Sequence, residues 1–166
     1  MQHKLKTISA DGITEANSKA ELYRLLNEPE EAESICYDVL AVDPEDQKAL
    51  RQLGLAITDQ FHGDPSDRYA EVESIFERLR DEYERLYYRG ILYERRAKAL
   101  LGAGRPPYTL LILLEEAIRC YEQAEKIRPH GNDDAILRWN RCIRLLQSRP
   151  EQDWQPKAEH VDIGGA

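Results

Sequence analysis

Three cysteines and four histidines are the residues of this chain best suited to covalent or metal chemistry, and their spacing favours neither. Cys36, Cys120 and Cys142 form no Cys-x-x-Cys pair, and each sits among apolar neighbours on an expected helix. That is the setting of a small buried hydrophobe rather than of a nucleophile or ligand. His3, His62, His130 and His160 fall in expected tails and turns, far from the cysteines, so no metal-ligand spacing arises. Dense carboxylates such as Glu115-Glu116 match a solvated helix face. No nucleophile–base pair, no acid–base carboxylate pair and no glycine-rich phosphate loop accompanies them. The expectation is no enzyme, no metal and no cofactor.

Acidic residues outnumber basic ones 31 to 23, a net charge of −8, which argues against a nucleic-acid surface because phosphate contacts need a cationic patch. The longest apolar run, Leu110 to Leu114, is far too short to span a bilayer. Residues 1–12 carry Lys4 and Lys6 but no apolar run, so they do not read as a secretory signal. Free thiols without a signal or span lead to the expectation of a cytoplasmic protein.

The elements that would position any site are helices. The length of 166 residues suits one domain, and the 42% hydrophobic fraction can fill a core. No period-two alternation lasts long enough for a strand, so the fold class is all-α. The first helix is expected from about Thr14 to Leu26, with Ala16, Ala20 and Tyr23 on one stripe. Pro29 opens the second, where its missing N–H is tolerated, and Asp43-Pro44 closes it. A third runs to about Phe61, followed by a turn at 62–67 in which Asp64 before Pro65 signals a helix start. From Arg68 to Leu101 the apolar spacing is unbroken and Gly90 is the only glycine. One continuous helix fits that stripe; two helices broken near Leu86 to Gly90 are preferred, because glycine weakens a helix interior by about 1 kcal/mol.

Two stretches share a device. Ala117, Tyr121, Ala124 and Pro129 repeat the order and spacing of Ala32, Cys36, Val39 and Pro44: small, bulky, small, then a helix-stopping proline. With Leu53-Gly54 and the stripe through Tyr93 and Ala97, this pattern resembles the tetratricopeptide repeat (TPR), a helix–turn–helix unit of about 34 residues. The resemblance covers roughly residues 13 to 148 as three units, closed by a capping helix bearing Ile136, Trp139 and Ile143. Residues 1–12 would be a flexible arm, and residues 149–166 a disordered or draped tail with Trp154 as its anchor.

The resemblance implies a right-handed superhelix whose first helices line a concave groove. Its implied groove positions are Asn17, Glu21 and Arg24, then Lys48, Arg51, Gln52 and Leu55, then Ile91, Glu94, Arg95 and Lys98. A chaperone-tail carboxylate clamp of the family is not implied, since Asn17, Glu21, Gln52 and Ile91 depart from its pattern and only Arg95 agrees. The implied function is a non-catalytic adaptor or scaffold holding a protein or peptide partner. A small acidic secretion-type or assembly chaperone is the alternative, and an enzyme on a helical stack a distant one. The stretch Leu110 to Leu114 is apolar around its whole circumference, which fits either burial on both sides or an exposed docking or homodimer surface.

Overall fold

The computed structural model describes residues 1–157, and among them every regular element is helical. The helices are α1 (Ile13–Leu25), α2 (Pro29–Val42), α3 (Gln47–Thr58), α4 (Tyr69–Glu77), α5 (Glu82–Gly102), α6 (Leu111–Lys126) and α7 (Asp134–Gln147). Short 3-10 turns stand at Ala10–Gly12, Pro107–Thr109 and Glu151–Trp154.

Local chemistry sets most boundaries. Asn27 takes the left-handed conformation at φ 59°, so Asn27 N–H reaches Arg24 O and Glu28 N–H reaches Tyr23 O, closing α1. Gly104, at φ 88°, closes α5 with the same pair of bonds, from Gly104 to Leu101 and from Arg105 to Leu100. Pro29 occupies the first turn of α2. The Asp46 carboxylate accepts from Ala49 N–H at 2.8 Å and starts α3.

The central region differs from the sequence expectation. The helix does not break between Leu86 and Gly90; it breaks at 78–81, and α5 runs unbroken through Gly90. Asp81 is the reason: its carboxylate accepts from Glu84 N–H at 3.0 Å, an N-cap that commits the chain to a new helix. Arg85 Nη1 then donates to the carbonyls of Leu79 and Arg80, both at 2.7 Å, satisfying two carbonyls of the linker between α4 and α5. Asp64 does not start a helix. It accepts from Ser66 N–H at 2.8 Å within the turn, and α4 begins only at Tyr69.

Each helix packs on the next in the chain, and α1 also touches α3, as α3 does α5. The small residues Ala20, Ala32, Gly54, Ala97 and Ala117 are all buried. Two helical glycines mark close approaches between neighbouring helices. A methyl on Gly54 would lie 2.1 Å from Phe76 Cε1, and one on Gly90 would lie 2.6 Å from Tyr121 Cε1. Gly90 therefore takes the place against α6 that Gly54 takes against α4, seven residues before Ala97, the expected position.

One apolar cluster runs from Ala20 through Leu50, Phe76 and Tyr121 to Cys142. A second joins Ala97, Leu114 and Trp154, with Leu111, Leu113, Leu145 and Leu146 against it. Within Leu110 to Leu114 both Leu110 and Leu114 are buried, and only Ile112 is exposed, at 65%. Trp154 folds back, its Nε1 donating to Leu146 O at 2.9 Å. The cap also turns differently than expected: Ala135 and Cys142 are buried on α7, while Ile136, Trp139 and Ile143 are half-buried. The rest of the expected loose tail, 158–166, lies outside the described residues.

Candidate functional site

The residues expected to line a groove are brought together on α1, α3 and α5, yet many of them bind one another. Asn17, Leu55, Ile91 and Glu94 are buried, which corrects their expected outward position. The physical reason for Ile91 and Glu94 is the register of α5: with Gly90 against Tyr121, they turn inward. Asn17 is buried because its Nδ2 donates at 3.0 Å to Asp46, the residue that caps α3.

The remaining candidates sit at the seams between alternate helices. Lys48 on α3 pairs with Glu21 on α1 at 3.3 Å, both near half-exposed. Arg51 Nη1 lies 3.0 and 3.1 Å from the two carboxylate oxygens of Glu84 on α5. Arg24 donates to Asp59 at 2.8 Å and to Gln52 at 3.3 Å. Arg95 reaches the same Asp59 at 2.5 Å, Thr58 Oγ1 at 2.7 Å and Leu55 O at 3.3 Å. Asp59 stands at the C-terminus of α3, where helix carbonyls already concentrate negative potential, so two guanidiniums converge there. Arg95 is less open than its groove position implies; desolvation pulls its pKa down, against the opposing pull of Asp59.

A second convergence lies between α5 and α7. Glu94 is fully buried, and Oε2 receives Lys98 Nζ at 2.7 Å and Arg138 Nη1 at 3.2 Å. Its Oε1 receives the Tyr121 hydroxyl at 3.3 Å and the Cys142 thiol at 3.4 Å. Burial pushes this carboxyl up, but the Lys98 hydrogen bond and the charges of Lys98 and Arg138 prevail and hold it below its ordinary value.

On the opposite side, Glu33 of α2 meets Arg68 at 2.5 Å, Gln60 at 2.7 Å and the Tyr37 hydroxyl at 3.0 Å. Burial raises its pKa, and these bonds, Arg68 first, bring it below the usual value. The cysteines are buried as expected. Desolvation pushes Cys36 and Cys142 up to about 12 and Cys120 up to about 11, far from a reactive thiolate. Among the described residues no group of His, Cys, Asp and Glu is placed to hold a metal ion, and no helix is long and apolar enough to cross a membrane.

Sequence reasoning missed Asp59, Glu84 and Arg138, the partners that tie the candidates down. Only Glu84 carried a local signal, standing three residues after Asp81 in a capping pattern. No protein-family model matches the chain, and no curated protein or solved structure matches it.

Proposed function

We infer that this chain is a non-catalytic protein-interaction module, an adaptor or scaffold component, built as TPR-like hairpins α1–α2, α3–α4 and α5–α6 closed by α7. The observation that carries the reading is the lateral contact of α1 with α3 and of α3 with α5, over and above the packing of each helix on its neighbour in the chain. Alternate helices that touch in series present one continuous face to a partner, as stacked repeats do. Glu21, Lys48, Arg51, Gln52, Arg95 and Lys98 lie along this odd-helix face and keep part of their side chains accessible. A protein or peptide segment laid across them is the partner.

Site-specific photo-cross-linking tests the reading. A photoreactive residue replacing Glu21 or Lys48 is expected to capture one and the same protein from native lysate. The same residue at Glu31 or Arg119, exposed on even-numbered helices, is expected to leave that protein free. Capture from the even-helix positions alone would move the interface to the other side and overturn the assignment.

A further inference from the structure

Charge is sorted between the two sets of helices. The sequences of α3, α5 and α7 each carry a net +2 and α1 is neutral, a total of +6 on the odd helices. The even helices are acidic, −4 on α2, −3 on α4 and −2 on α6, a total of −9. A chain with net charge −8 thus carries most of its helical cations on the odd helices, although Arg85, Arg89 and Arg96 of α5 stand against α4. Such sorting leaves a local potential opposite in sign to that of the whole molecule.

The pairing geometry shows where positive charge is left over. At the α1–α3–α5 seam, Arg24 and Arg95 share the single carboxylate of Asp59, at 2.8 and 2.5 Å. At the α5–α7 seam, Lys98 and Arg138 share the single carboxylate of Glu94, at 2.7 and 3.2 Å. Each seam holds two cations against one carboxylate; the C-terminal carbonyls of α3 offset part of the surplus at the first, and at the second it stands in full. The cations remain reachable: Lys98 and Arg138 each keep 32% of the side chain exposed, whereas Glu94 is enclosed. One turn beyond Arg138, exposed Arg141 has no carboxylate partner among the described residues. Arg95 of the first seam lies next to Glu94 and three residues before Lys98 of the second on α5, which sets the two seams beside each other.

We propose that the odd-helix face takes an acidic peptide segment, whose carboxylates complete the Arg24–Arg95 and Lys98–Arg138 pairs. This rests on the interaction face inferred above and adds the chemistry of its occupant. Charge-assisted bonds to partly desolvated cations are about twice as strong as neutral ones, so acidic side chains are selected over their amides. The even-helix face, with its excess of Glu, repels the same segment and fixes which side it uses.

Fluorescence anisotropy with a short dye-labelled peptide rich in Glu and Asp tests this directly. Its Gln/Asn counterpart and a single strand of DNA of equal length serve as comparisons. The acidic peptide is expected to bind and to weaken as salt rises, the amide peptide to bind at least about tenfold less tightly, and the DNA to bind less well than the peptide. Lys98→Gln and Arg141→Gln are each expected to weaken the acidic peptide several-fold with the helical spectrum intact, while Arg119→Gln leaves binding alone. Equal binding of the amide peptide, no binding of either peptide, or tighter binding of DNA would each overturn the acidic-segment assignment. If Lys48 still cross-links a cellular partner in those cases, the interaction face stands and only the occupant's chemistry is wrong.

Discussion

Gly54→Ala sets two opposed magnitudes against each other. Alanine is favoured over glycine in a helix interior by about 1 kcal/mol, and Gly54 lies well inside α3. The added methyl would stand 2.1 Å from Phe76 Cε1 and 2.5 Å from Cζ, far inside van der Waals contact. Phe76 is only 2% exposed, and the Tyr88 ring centroid lies 5.3 Å away, so the ring cannot turn aside without moving a second one. Overpacking of this kind costs about 1–3 kcal/mol, and so close an approach belongs at the upper end. Set against the propensity gain, the net loss is about 2 kcal/mol, or about 4–8 °C in Tm for a chain of this size. Thermal melts followed by circular dichroism measure it. In a Phe76→Leu background the offending ring atoms are gone, and Gly54→Ala is then expected to be neutral or mildly stabilising. A single variant melting at or above the parent temperature, or a cost that persists unchanged in the Phe76→Leu background, would refute the ring contact as the reason for glycine.

Glu94→Gln is expected to cost about 2–3 kcal/mol by urea denaturation at neutral pH. That is less than for a fully enclosed ion pair, because Lys98 and Arg138 can turn part-way to water. The folded-state pKa of Glu94 lies below its ordinary 4.5, so the unfolded chain binds more protons in acid. The stability it contributes is therefore present above about pH 4.5 and lost as pH falls through the folded value, and the variant is expected to show a shallower acid decline; equal declines would contradict this. Glu33 and Glu71 shift in the same direction and add to the decline in both proteins. All three cysteines are expected to resist an aromatic disulfide reagent at mildly alkaline pH until the chain unfolds; rapid modification of any one in the folded protein would be incompatible with its burial.

The helices were legible because their signals are local. Pro29, Asn27 and the prolines after α2 and α6 act within a turn of their own positions, and the small residues Ala20, Ala32 and Ala117 stand buried as their spacing implied. The α4–α5 break was misplaced because glycine was weighed as a helix breaker. At Gly90 the decisive fact is a ring from another helix, which sequence spacing does not encode. The candidate face was legible as a set of positions but not as a set of partners. Arg24, Asp59 and Arg95 are drawn from three different elements and meet only once α1, α3 and α5 lie side by side. Asn17, Leu55, Ile91 and Glu94 lie inside for a related reason, since the register of each helix against its neighbours decides which side chains look outward.

The placement of the α4–α5 break also bears on how the molecule comes apart. α5 spans 21 residues and contributes Ile91 and Leu92 to one apolar cluster and Ala97 to the other. An uninterrupted hydrogen-bonded rod shared by both clusters ties the fate of Trp154 to that of Tyr121. Removal of the Trp154 side chain is expected to uncover Leu114 and loosen the end of α5. The break itself is held on several sides: Leu79 is buried in the core, Asp81 caps α5, and Gln47 and Arg85 bond the backbone of residues 79–80. The Arg24–Asp59–Arg95 bridge and the Arg51–Glu84 pair cross it, and the apolar cluster from Ala20 to Cys142 runs through it, so α1 to α4 and α5 to α7 are tied by polar and apolar contacts alike.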